Sequence, residues 1–259
     1  MSTRIEGGCR LGGGTLKSPP LVSIITVVFL SRHELSELLE SVFRLKDQRI
    51  ELIVIDGGSN DGTIDLLREH DGEIDYWLSE ADRGIYDAMN KGTAAAQGTF
   101  LFHLNSGDRL LHVPIQELEM ARAQNVDVAA FRVSIDKKYD FRPSHGITLK
   151  FTNTLHHQGT FFRREIFPEY NIKYKIFADF DVNQRLARDG ARMAIFDRVV
   201  ALHLSGGVSS VPSASTDSEF FKVIAENHGW RWVLIAWFMC KWRGLKLRLV
   251  RFSGWHHTS

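Results

Sequence analysis

The stretch Leu52–Thr63, LIVIDGGSNDGT, decides how the rest of the chain is read. An apolar, mostly β-branched run meets Asp56, two glycines and a polar turn cluster. Such a run suits a strand buried on both faces, as in a parallel sheet covered by helices. Upstream, Leu21–Phe29 (LVSIITVVF) has the same character, and Leu35, Leu38, Leu39, Val42 and Phe43 follow at helical spacing. Ser31 and Glu34 form an S-x-x-E pattern that predicts a capping box at the start of that helix. Downstream, Ile64 and Leu67 mark a short helix and Ile74–Leu78 a third strand. Ile85–Gln97 reads as a helix with a small inner face of Ala88, Gly92, Ala95 and Ala96. Thr99–Leu104 is a fourth strand, ending in Asn105-Ser106-Gly107-Asp108. This alternation of strand and helix defines an α/β chain with an open parallel sheet. Right-handed crossovers put the strand ends on one edge, where such sheets bind ligands. The clusters Asp56–Gly62 and Asn105–Asp108 therefore face a common site.

The second half alternates less regularly. It predicts a helix over Pro114–Asn125, a strand over Val126–Val133 and a loop or short hairpin over Tyr139–Phe151. A strand follows at Gly159–Arg163, a helix at Ala178–Arg188 and an extended stretch at Met193–Leu204. Thr216 and Glu219 form a second capping-box pattern, ahead of a helix carrying Phe220, Val223 and Ile224. The net charge of +1 argues against a general nucleic-acid binder. Cys9 and Cys240 are too few for a disulfide framework or a zinc site. No G-x-G-x-x-G follows the first strand, which excludes the dinucleotide-binding fingerprint. Residues 1–20 read as a flexible, Gly-rich leader without the apolar centre of a signal peptide.

Six motifs stand in order: VIDGGSNDGT (Val54–Thr63), SEADRGIYDAMNKG (Ser79–Gly92), LFHLNSGD (Leu101–Asp108), HHQGTFFRREIF (His156–Phe167), IFADFD (Ile176–Asp181) and LHLSGGVS (Leu202–Ser209). Together they resemble family-2 glycosyltransferases of the GT-A fold, nearest the bacterial exopolysaccharide, colanic-acid-type branch. The resemblance implies a Rossmann-like nucleotide-binding sheet over 21–108 and an acceptor-binding half over 109–228, in one domain. It implies an enzyme that moves a sugar, with inversion, from a nucleotide-diphosphate sugar to a polyprenyl-diphosphate-linked saccharide. A catalytically inactive nucleotide-sugar-binding scaffold is the alternative.

By the same resemblance Asp56 accepts hydrogen bonds from the nucleobase or ribose, although an Asp before glycines also caps its own turn. Asp61 reads as a turn or helix cap. Asp82 and Asp87 would accept sugar hydroxyls, and Asn90 or Lys91 would reach phosphate. The family's Asp-x-Asp metal motif is here Asn105-Ser106-Gly107-Asp108, leaving one carboxylate. Asp108 and His203 are then the expected ligands of Mg²⁺ or Mn²⁺, with Asn105 at the ribose or a metal-bound water; one or two protein carboxylates suffice for Mg²⁺. Asp179 matches the family's general base, and neighbouring Asp181 reads as an N-cap or surface carboxylate. His156-His157-Gln158 either line the acceptor pocket or satisfy backbone groups, and Gly206-Gly207 suit a closing loop.

Beyond Glu226 the chain has no acidic residue but carries Arg231, Lys241, Arg243, Lys246, Arg248 and Arg251, with Trp230, Trp232, Trp237, Trp242 and Trp255. The segment 229–259 therefore predicts contact with a membrane surface, peripheral and on the cytoplasmic face of the inner membrane. Its apolar and basic positions do not separate onto two helical faces, so packing of part of it on the domain is the alternative.

Overall fold

The computed structural model describes residues 4–13, 19–204 and 214–253; Gly206, Gly207 and Trp255 lie outside them. β2 (Val22–Val28) and β3 (Ile50–Asp56) are buried at every position, as their unbroken apolar runs require. They pair in parallel with each other and with β4 (Tyr76–Ser79) and β5 (Phe100–His103), in the order β4-β3-β2-β5. The order reverses at β2, which makes the gap between β2 and β5 a switch point, the usual ligand position in such sheets. Connecting them are α1 (Arg32–Phe43), α2 (Thr63–Glu69) and α3 (Ile85–Ala95).

The sheet continues past β5 into the second half. β9 (Thr160–Arg163) pairs antiparallel with both β5 and β7 (Val128–Ile135). β10 (Met193–His203) runs parallel to β7 and pairs antiparallel with β6 (Arg109–Leu110). β8 (Tyr139–Phe141) closes a hairpin on β7. One continuous sheet thus spans both halves and fixes their geometry.

Each face of the sheet is covered. Leu35 and Leu38 of α1, Leu67 of α2 and Leu118 of α4 (Ile115–Ala123) pack on one side with Val54 and Phe102. On the other lie Ala88 and Met89 of α3, Phe180 and Leu186 of α5 (Ala178–Arg188), Val223 and Ile224 of α6 (Ala214–His228), and Ala236 of α7 (Trp230–Ser253). Gly92 on the small face of α3 allows close approach, since a Cβ there would collide with Ile25. Among the described residues no helix is long and apolar enough to cross a membrane.

Three local expectations need correction. Ile5–Gly7, expected within a flexible leader, is β1, which extends the sheet antiparallel to β4. Gly7 is what admits it, because any Cβ there would overlap the Trp77 ring. Arg10 anchors the same segment by donating to the buried Glu51 carboxylate at 3.2 Å and to the Ala95 carbonyl at 3.0 Å. Ser31 makes no side-chain cap to α1; Asp61 accepts from the Arg32 amide at 3.1 Å and, through its other oxygen, from the Thr63 amide at 3.1 Å. One carboxylate therefore caps the starts of both α1 and α2. Thr216 lies inside α6, and its expected capping partner Glu219 reaches a different segment, described below.

Candidate active site

A cavity of about 750 Å³ opens where the strand edge meets the second half. One wall comes from Val27, Val28 and Phe29 at the end of β2, from Asp82, Gly84, Ile85 and Tyr86 after β4, and from Asn105 and Ser106 after β5. Asn153, His156, His157, Gln158, Asp179 and His203 face them. Of the residues expected from sequence, Asp82, Asn105, Asp179 and His203 line this one cavity. Phe29 is 59% exposed, and Leu30 beside it is held at φ +49°, a left-handed conformation costly for a bulky side chain. The Ser59 hydroxyl fixes that turn by accepting the Leu30 amide at 2.8 Å.

Asp179 stands in the first turn of α5, where a negative charge is favoured by the helix dipole. Its Oδ1 accepts the Phe180 amide at 2.8 Å, and its Oδ2 lies 3.4 Å from both Asn153 Nδ2 and His157 Nδ1. His157 Nε2 is in turn 3.2 Å from Asn105 Nδ2, so a polar chain links Asp179 to the turn after β5. The segment entering α5 is held from α6. Glu219 accepts the backbone amides of Lys175, Ile176 and Phe177 at 2.9, 2.7 and 2.8 Å. From the other side the Tyr86 hydroxyl donates to the Ile176 carbonyl at 2.6 Å. Burial and the nearby Asp179 charge push the Tyr86 phenol well above its usual range, so it stays a donor.

Asp108 is 2% exposed and lies directly behind the wall. Its Oδ1 takes a hydrogen bond from His203 Nδ1 at 2.8 Å; its Oδ2 takes Gln158 Nε2 at 2.8 Å and the Asn105 amide at 3.0 Å. That bond to Asp108 raises the His203 pKa against the opposing effect of burial. His156, pressed against His203 at a ring distance of 5.2 Å, has its pKa lowered to about 3 by burial first and by the neighbouring imidazoles second.

Among the described residues no group of three or more His, Cys, Asp or Glu is arranged to hold a metal alone. Asp108 and His203 are hydrogen-bonded to each other, so a cation would have to take the place of the His203 Nδ1 proton. Asn105 Oδ1 and Gln158 Oε1 beside them are buried with no hydrogen-bond partner. This donor set fits Mg²⁺ or Mn²⁺, which complete their shells with water and substrate phosphate oxygens.

Five expected residues do not form the wall. Asp56 is wholly buried; its oxygens accept the Ser59 and Ser79 hydroxyls, each at 2.5 Å, and the Ser59 amide at 3.0 Å. It secures the turn after β3. Gly57 beside it lets Asp82 come close, since a Cβ there would sit 2.6 Å from Asp82 Oδ2. Asp87 is paired with Arg83 at 2.7 Å, which lowers its pKa. Asn90 exchanges hydrogen bonds with the backbone of Tyr170, at 2.9 and 2.8 Å, joining the two halves. Lys91 is tied to Glu80 at 2.9 Å and to the Ala81 carbonyl at 3.0 Å, bracing the loop that carries Asp82. Asp108, the fifth, reaches the cavity through His203. Sequence reading missed Asn153, which carries no motif, and gave Glu219 only as a helix cap; both act through contacts made by folding.

A mostly parallel sheet that ends in acidic turns and continues into a second half bearing the Asp179 carboxylate across the cavity is the GT-A glycosyltransferase fold. The family description "Glycosyl transferase family 2" matches residues 23–177, and the chain belongs to that family. It is 31% identical over 222 residues to a "PGL/p-HBAD biosynthesis glycosyltransferase" of Mycobacterium bovis, covering 78% of this chain and 83% of the relative. A putative teichuronic acid biosynthesis glycosyltransferase of Bacillus subtilis is 33% identical over 93 residues, 35% of this chain and 37% of the relative. Among solved structures, Staphylococcus aureus TarS superposes with a TM-score of 0.63 at 14% identity, over 79% of this chain but 39% of that one. Its residue 1–349 form in complex with UDP-GlcNAc gives 0.62 at 16% identity, over 80% and 66%. The mannosyltransferase PcManGT of Pyrobaculum calidifontis, in complex with GDP-Man and Mn²⁺, gives 0.57 at 17%, over 82% and 63%.

Proposed function

We propose that the protein transfers a glycosyl unit, with inversion, from a nucleotide-diphosphate sugar to a lipid-linked saccharide during assembly of a bacterial exopolysaccharide. The observation that carries this reading is the placement of Asp179 on the same cavity as Asp82, Asn105 and His203, with Asp108 behind them. UDP-GlcNAc and GDP-Man in structural neighbours support a nucleotide-sugar donor. In the reaction Asp82 accepts donor hydroxyls, while Asn105 and His203 meet the diphosphate end. Asp179 accepts the proton of the acceptor hydroxyl as its oxygen bonds to the anomeric carbon. The bond from that carbon to the diphosphate oxygen breaks, and the nucleoside diphosphate leaves with the bonding pair. Asp108 and His203 would hold a divalent metal, which when bound neutralises charge on that leaving group. Asp56, Asp87, Asn90 and Lys91 act by shaping the donor side, from the positions the fold gives them.

Asp179→Asn tests the assignment. Donor affinity by calorimetry should be preserved while transfer falls by about 10²–10⁴-fold, the usual contribution of a general base. Turnover at the wild-type rate overturns the role of Asp179. No turnover by either protein with any donor that binds would favour a nucleotide-sugar-binding scaffold.

A further inference from the structure

The helix α7 has two apolar faces. Ala236 is buried and Trp232 packs beside it, stacked on Phe151 with ring centroids 6.1 Å apart. Opposite them, Trp230, Leu234, Trp237 and Phe238 recur at i, i+4, i+7 and i+8 and are 68%, 47%, 44% and 64% exposed. This explains why apolar and polar positions do not separate in the sequence: one apolar stripe faces the core and another faces outward. Lys241 continues the outward stripe, its ammonium 5.5 Å from the centre of the Trp237 ring.

We propose that this outward stripe of α7 is the surface by which the protein lies on an anionic lipid bilayer. Indole and phenyl rings lodge at the boundary between head groups and acyl chains, and cations beside them add attraction to anionic lipid. Both components occur together here, since the sequence beyond Glu226 holds six Lys and Arg and no Asp or Glu. The same charge argues against a second copy as the occupant. A symmetric pairing of α7 with itself would set this cationic run against its twin, and like charges brought together repel. The inference rests on the lipid-linked acceptor of the proposed function and gives that acceptor a place of encounter.

The test needs neither donor nor acceptor, so it can fail while the transfer reaction stands, and the reverse. Full-length protein is sedimented with vesicles of phosphatidylglycerol and phosphatidylcholine, and with phosphatidylcholine alone, at low and high salt. The proposal expects binding to the anionic vesicles that weakens with salt. Trp237→Ser with Phe238→Ser should lower that binding by at least roughly tenfold at an unchanged melting temperature. Lys241→Gln, which leaves the apolar stripe intact, should lower it by roughly fivefold on anionic vesicles and not on neutral ones. Equal binding to neutral vesicles, no binding, or a dimer in light scattering that the serine variants dissociate would each overturn the proposal.

Discussion

Glu219 offers the sharpest perturbation of the site from outside it. Its carboxylate accepts three backbone amides just ahead of α5, and two of them, from Ile176 and Phe177, are partly buried and share Oε1. Hydrogen bonds to a charged group are each worth about 1.5–3 kcal/mol, and the exposed Lys175 amide can turn to water. With one oxygen shared, Glu219→Ala should cost about 2–4 kcal/mol. For a chain of this size that lowers the melting temperature by about 4–16 °C. Glu219→Gln keeps the shape and one carbonyl acceptor, so about 1 kcal/mol is expected. The same loss frees the segment that sets Asp179, and a misplacement of about 1 Å costs about 10²-fold in rate. Urea titration and a transfer assay on both variants measure the two effects together. A Glu219→Ala protein within about 0.5 kcal/mol of wild type and fully active would refute the latch.

His103 is fully buried between Thr93 and Tyr170, and burial lowers its pKa to about 3. The unfolded chain takes up this proton below about 6.5 while the folded chain does not, so stability falls with pH from there towards 3. Between pH 7 and pH 5 His103 should account for about 2 kcal/mol of loss, read as the difference in urea stability between wild type and His103→Phe across the two pH values; equal losses would contradict it. His157→Ala should lower kcat by about tenfold with donor KM unchanged, and His157→Asn, which keeps a donor near the Nδ1 position, should restore most of it. Equal rates for the two variants would remove the positioning role of His157. Asp108→Ala should abolish any gain in donor affinity that added Mg²⁺ or Mn²⁺ produces, measured by calorimetry against a chelator control. A gain that survives the substitution would place the metal elsewhere.

The parallel half of the sheet was legible because β2 and β3 are buried on both faces, and burial leaves an unbroken apolar run in the sequence. β1 was not, since three residues hold no period and their place depends on Trp77, far along the chain. Both capping-box patterns misled for a shared reason. The cap at α1 comes from Asp61 in a distant turn, and Glu219 serves a segment more than forty residues away. Local spacing cannot register a side chain recruited by tertiary contact. That Asp82, Asn105, Asp179 and His203 would meet at one cavity was legible because strand ends and a helix start fix their direction. Asn90 and Lys91 were misjudged by a helix face: each turns to a neighbouring loop, Tyr170 for one and Ala81 for the other.

A crystal structure of Asp179→Asn bound to a nucleotide-diphosphate sugar tests the central claim most directly. The diphosphate is expected against Asn105 and His203, with the anomeric carbon turned towards the side chain at 179. A nucleotide seated outside this cavity, or a sugar whose anomeric carbon faces away from 179, would contradict it.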